Sequence, residues 1–426
     1  MNEKLLMRRI GGGSTLLLIF MAMFVPTAYV PAKAGLLLLA CSVAILGLFL
    51  GVFKINKTAF FAILSLTSVG LLYSFYGFLN GAPGAVRVLT VYFLWPWVFL
   101  LLSVYLSNDR SLEVFFKVLI ASLVFIIIYS FLFLGVKSGF VPESLYFELD
   151  QGQGVGFYDG FVEYRMYSIS SLIFLIPLAI HFFYIKLKLP YREKTYLWLV
   201  LILASIVLTF LTGRRAMLLV FMIIPAIVLA EFFLFSGLKK LPIKIRRLSR
   251  SPGFYILSIF LFLIALGLLN HLGFNLTKVW IMFADGFNFE SGESTSERTL
   301  QFFSLMNGWF DSSILFGAGN GSTVDVVRST EMGWAYELTY VYLLFSTGLV
   351  GFLFYFSWFG YGLIRVRQSL KMRPDLKIYV LPLMTGVFCF CIAAASNPYF
   401  GKFDFLWIVI LPHLLATSLK YQRVAI

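Results

Sequence analysis

Chemistry in this chain can start from a few charged side chains in an apolar background. Glu331 and Glu337 stand at the head of the run WAYELTYVYLLF. A carboxylate at that depth needs a partner or a task. It suits a general base for a hydroxyl, and a structural salt bridge to an arginine explains it equally well. Arg214 and Arg215 follow LTG at the end of one apolar run and open the next. Such a pair can be a snorkelling anchor, but arginine at a helix start opposes the helix dipole. The pair also falls on the less basic side of the chain, so a bound anion is the better reading. Arg298 begins a polar, amphipathic stretch, SERTLQFFSLMNGWF, where pairing with Glu293 or Glu297 would also explain it. Arg165 and Arg328 are further basic candidates for which a structural role is simpler. Guanidinium forks match phosphate oxygens better than ammonium groups do.

Gly317, Gly319 and Gly321 in FGAGNGS make no nucleotide fingerprint, since no strand precedes them and no lysine follows as in a P-loop. They read as a tight loop whose amides could face an anion. His181, His271 and His413 are scattered; His181 and His413 read as interfacial residues and His271 as a helix-end residue. No catalytic-triad or metal-ligand spacing appears, so neither a metal nor a cofactor is expected. Most of the tyrosines and tryptophans, Trp334, Tyr336, Tyr340 and Tyr342 among them, read as membrane-interface belts.

These residues must be positioned by a membrane scaffold. The chain of 426 residues is 60% hydrophobic and 13% charged, far from a soluble composition. Apolar runs lie near 14–30, 34–53, 58–77, 86–106, 112–135, 166–186, 195–212, 215–236, 254–271, 334–361, 378–396 and 403–419. Each approaches the length that spans a bilayer as a helix, so the expected fold is an all-α polytopic membrane domain over residues 1–426 with about twelve spans. A net charge of +14 would suggest nucleic acid in a soluble protein. Here lysines and arginines concentrate in alternate connections, KKLPIKIRRLSR above all, which places both termini on the cytoplasmic side and excludes the nucleic-acid reading. Two opposite connections are long, residues 136–165 and 272–333, and loops of that length usually carry function. The second, between spans nine and ten, should hold a helix from Ser296 to Phe310. Leu300, Phe303, Met306 or Asn307, and Phe310 would form its apolar stripe, and Ser294 or Ser296 its cap.

Three segments together resemble the O-antigen ligase and polymerase family of bacterial inner-membrane glycosyltransferases. LTGRRAMLL resembles the surroundings of one family arginine. SERTLQFFSLMNGWFDSSILFGAGNGS resembles its second arginine helix and glycine turn, and YELTYVYLLFSTGLVGFLF its re-entry helix with paired glycines, Gly348 and Gly351. The likeness covers roughly residues 200–360. It implies a type C glycosyltransferase fold and a periplasmic active site. It also implies donor and acceptor glycans carried on undecaprenyl pyrophosphate, with a chain-length regulator as a candidate partner. Arg214 or Arg215, and Arg298, would match the pyrophosphate-binding arginines. The ligases and pilin oligosaccharyltransferases carry a histidine eleven residues before the first paired glycine, where this chain has Glu337. That departure favours the polymerase branch, with Glu337 as base and Glu331 as substitute. The paired RX10G motifs of one polymerase subgroup are not cleanly reproduced, because Gly308 falls one residue short of that spacing from Arg298. A ligase or protein oligosaccharyltransferase is the rival enzyme. A transporter of lipid-linked glycan or small anions is the rival of another class.

Overall fold

A backbone that crosses lipid must satisfy its own polar groups, and a helix does so locally. The computed structural model describes residues 3–106, 108–149, 154–158, 161–187, 195–211, 214–236, 263, 293–327 and 332–418. The helices are α1 (Glu3–Phe24), α2 (Val30–Phe49), α3 (Lys57–Leu79), α4 (Ala85–Leu89), α5 (Trp95–Leu102), α6 (Asp109–Lys137), α7 (Ile169–Lys186), α8 (Thr195–Leu211) and α9 (Arg215–Glu231). They continue with α10 (Glu293–Asp311), α11 (Thr339–Met372), α12 (Lys377–Ala393) and α13 (Phe403–Ser418). Helices α4 and α5 join through a π turn, Thr90–Leu94, into one span.

Nine helical segments among the described residues are long and apolar enough to cross a membrane, and α8 and α13 are shorter apolar helices. The protein is a polytopic helical membrane protein. The run near 254–271 and the basic loop at 239–250 lie outside the described residues. The first run starts earlier than hydropathy suggested. Helix α1 takes in Arg8, Arg9 and the glycines before Ser14, because a polar segment continues a helix whose hydrogen bonds are already propagating. Among the described residues, one departure from an all-helical chain occurs inside the expected loop 136–165. Strands β1 (Gly154–Tyr158) and β2 (Phe161–Arg165) pair antiparallel, with Gly154 opposite Arg165.

The core is built around α7, whose residues Ile169 to Phe183 are all buried. It packs against α12, α8, α6 and α9. A helix apolar all round is a core helix, and α7 fits that description. At one end of the bundle Arg373 pairs with Asp375 at 2.9 Å and with Asp109 at the start of α6. At the opposite end Lys33 pairs with Asp404 at 2.8 Å, both buried, and Asp404 also accepts the Thr27 amide at 2.8 Å. That buried pair fastens the α1–α2 turn to the start of α13.

The helix expected at 296–310 is α10. It begins at Glu293, so Ser294 and Ser296 lie inside it and do not cap it. Its apolar stripe faces away from the protein. Leu300, Phe303 and Phe310 are exposed, while Gln301 and Leu305 are buried. In a membrane protein lipid accepts the apolar face and the protein keeps the mixed one, so periodicity located the stripe but not its direction.

Candidate active site

Helix α11 is broken at Gly348, which adopts φ 59° and ψ −170°. A break in a span orphans backbone groups that lipid cannot satisfy. The glycine turn after α10 satisfies them. Ala318 and Gly319 amides donate to the Phe345 and Ser346 carbonyls at 2.9 and 2.8 Å. From beyond the break, Leu349 and Val350 donate to the Ile314 and Leu315 carbonyls at 3.0 Å each. Two chain segments thus exchange four hydrogen bonds across one kink. The approach needs glycine on both sides. A Cβ on Gly348 would lie 2.4 Å from the Leu315 carbonyl carbon, and one on Gly319 would lie 2.2 Å from the Gly77 Cα of α3.

This corrects the expectation that the loop amides face an anion. Gly317 donates to Ser313, Asn320 to Tyr73, and Gly321 to the Tyr342 hydroxyl. The loop amides are committed to the protein. The aromatics read as interface belts serve the same subassembly. Tyr342 stacks on Tyr336 at 5.0 Å, the Tyr336 hydroxyl accepts the Val324 amide at 2.7 Å, and Trp334 lies against Gly84. Leu305, Tyr336 and Phe345 form a small core of their own beneath α10.

That subassembly delivers the charged pair. The Nε of Arg298, from α10, donates to Oε2 of Glu337 at 2.9 Å. The side chains are 35% and 14% exposed, so the pair is part-shielded yet reachable. Two residues on from Glu337, the Thr339 hydroxyl donates to the Asn397 carbonyl at 3.0 Å, and Tyr340 donates to Cys391 at 2.7 Å. The head of α11 is therefore seated on the α12–α13 turn. The same turn carries Lys402, half-buried, within electrostatic reach of Arg214. Burial first, and the Arg214 charge second, hold the Lys402 ammonium below the ordinary lysine value, while Asp404 pulls it back up. Arg214 caps α9, and its Nη1 donates to Ser170 at the head of α7 at 3.3 Å. Arginine and lysine held close together make a position where an anion is favoured.

Of the residues singled out in the sequence, Arg298, Glu337 and Arg214 lie at the same end of the bundle as Lys402 and the glycine turn. Arg215 is the first residue of α9 and Arg165 the last of β2; their side chains lie outside what is described. Glu331, Arg328 and His271 also lie outside the described residues. Two functional candidates were missed. Lys402 was counted only as one of the few basic residues on the sparse side, and its isolation there was the available signal. The second is a buried cluster around His181, read as interfacial; His413 is likewise buried, its ring tilted against that of Trp358 with centroids 4.0 Å apart.

Beside the glycine turn is an open cleft of about 610 Å³, lined by Tyr76, Asn80, Asp311, Ser312, Ser322 and Thr323 among others. It is distinct from the charged pair, because Asp311 lies about 20 Å along α10 from Arg298 at the helical rise. Its size and its hydroxyl, amide and carboxylate lining suit a polar ligand. Comparison with protein-family models, with curated proteins and with solved structures finds no match for this chain.

Proposed function

We propose that this protein is a surface-polysaccharide polymerase of the O-antigen type, joining lipid-pyrophosphate-linked repeat units at the outer face of a bacterial inner membrane. The observation that carries the reading is the Arg298–Glu337 contact of 2.9 Å. It joins the pyrophosphate-binding arginine and the base that the family resemblance singled out separately, at the head of a broken helix. On this reading the chain has twelve spans in a type C glycosyltransferase arrangement, both termini are cytoplasmic, and the site is periplasmic.

The donor is the growing glycan on undecaprenyl pyrophosphate, and the acceptor is a hydroxyl of a new lipid-linked repeat. The acceptor oxygen forms a bond to the anomeric carbon as the bond from that carbon to the pyrophosphate oxygen breaks. The lipid keeps the pyrophosphate, and the hydroxyl proton passes to Glu337. Arg298, Arg214 and Lys402 offset the charge that develops on the leaving group, and in such reactions electrostatic stabilisation is the principal contribution. Arg298 bonded to Glu337 holds the carboxylate oriented before substrate arrives. Arrival of pyrophosphate offers the guanidinium a second anion, which loosens its hold on the base. The cleft beside the glycine turn suits the glycan of one of the two substrates.

The discontinuous α11 favours one other reading, since transporters build substrate sites from broken helices. The carbonyls and amides at this break are bonded to the glycine turn rather than directed at a cavity, which supports catalysis over transport. Purified protein in liposomes with lipid-linked repeats discriminates. Polymer should form, and Glu337→Gln should abolish it with normal protein levels. Translocation of the lipid-linked repeat without bond formation would overturn the reading. A ligase would instead transfer glycan to a lipid A-core acceptor in the same assay.

A further inference from the structure

The bundle interior holds a second ionisable cluster that the reaction above does not use. Glu231 ends α9 with its side chain 1% exposed, and His181 of α7 is 6% exposed. The His181 Nδ1 lies 3.3 Å from Glu231 Oε2 and 2.6 Å from the Thr385 hydroxyl of α12. Thr385 donates to the same carboxylate oxygen at 2.8 Å. Three helices meet at Oε2. The other oxygen, Oε1, is buried without a hydrogen-bond partner among the described residues. One further titratable group acts nearby, the buried Cys389 thiol of α12. Residues 197–211 of α8, the rest of α9 beyond Arg215, and the turn Phe232–Ser236 contribute no titratable side chain.

Charge counting decides what such a cluster holds. A neutral imidazole beside an ionised carboxylate leaves one uncompensated negative charge among apolar helices, which a low-dielectric interior penalises heavily. One additional proton brings the cluster to zero net charge. The Thr385 hydroxyl accepts from Nδ1–H and donates to Oε2, so the imidazole proton and Oε2 are already engaged. Two places remain, the second ring nitrogen Nε2 and Oε1, and Oε1 is the better one because an unpartnered anionic oxygen in the interior is costlier than a protonated one. A metal cation fits less well, because the donors it would need are bonded to one another.

We propose that Glu231, Thr385 and His181 form a proton-binding site that holds one proton on the Glu231 carboxyl and thereby fastens α7, α9 and α12 together. This inference stands apart from the glycosyl-transfer reading and survives its failure. Infrared spectroscopy of the purified full-length protein at neutral pH tests it. The carbonyl band of a protonated carboxyl should be present and should disappear in Glu231→Gln, which keeps the shape without the proton. The melting temperature of the wild type should fall as alkaline pH removes that proton, and the fall should be absent in Glu231→Gln. If that variant does not accumulate, Thr385→Val serves, because losing the hydroxyl that donates to Oε2 must shift the band. Absence of a protonated-carboxyl band, or a band that neither variant alters, overturns the proposal.

Discussion

The two ionisable clusters of this protein use the same chemistry in opposite surroundings. Arg298 and Glu337 meet at the head of α11 with 35% and 14% of their side chains exposed. Glu231 and His181 meet inside the bundle with 1% and 6% exposed. Helices α7 and α9 are cross-linked at both levels, by Ser170 and Arg214 at one end and by His181 and Glu231 nearer the other. Each helix has an interior proline between its two links, Pro177 and Pro225. The outer pair can exchange partners cheaply, because solvent and an arriving anion can replace what it loses. The inner cluster cannot, because among the described residues no further polar group reaches the free carboxylate oxygen to replace a partner. Exposure therefore separates a pair suited to turnover from one suited to holding helices together.

The comparison can be broken at several points. The largest effect should come from the interior. Glu231→Ala removes the acceptor that joins three helices and should cost about 3 kcal/mol, read as a lowered melting temperature of the purified protein, whereas Glu231→Gln should cost far less. Next is Gly348→Ala. Its backbone lies where only glycine is comfortable, so the substitution should cost about 1–3 kcal/mol in strain, with the clash against Leu315 added. The site end should lose protection from hydrogen exchange at Ala318, Gly319, Leu349 and Val350 while α7 keeps its own. A double-mutant cycle with Arg298→Ala and Glu337→Ala should return a coupling of about 1 kcal/mol, as for a part-exposed pair. A coupling as large as the interior loss would erase the contrast drawn between the clusters.

Lys402→Met should give the smallest change, and a pH-dependent one. Burial and Arg214 lower the folded-state pKa of Lys402, so its charge opposes folding while it is protonated. That cost is present below the lowered folded pKa and is relieved as pH rises through it. The stability advantage of Lys402→Met over the wild type should therefore shrink toward alkaline pH in parallel melting curves. Anion binding should weaken in the same variant, measured with inorganic pyrophosphate.

Much of the scaffold was readable in the chain because lipid imposes a length and a composition on every span. The runs that became α3, α6 and α12 were found close to their ends for that reason. Residues near in sequence were also readable, such as the glycines of FGAGNGS as a turn. Their purpose was not, since the broken ends of α11 that they satisfy lie some thirty residues further along. The stripe on α10 was readable as a stripe but not in its direction, because hydropathy does not distinguish a face turned to protein from one turned to lipid.

The sequence by itself determined that this is a helical membrane protein, which residues are charged within it, and where its chain must turn. Those follow from local rules of hydrophobic length and backbone conformation. Tertiary structure alone decided which charges meet. Arg298 finds Glu337 across 39 residues, Glu231 finds Thr385 across 154, and His181 finds Thr385 across 204. Pairing at such separations depends on how the helices pack, and in an apolar solvent a buried acid takes whichever partner that packing brings to it.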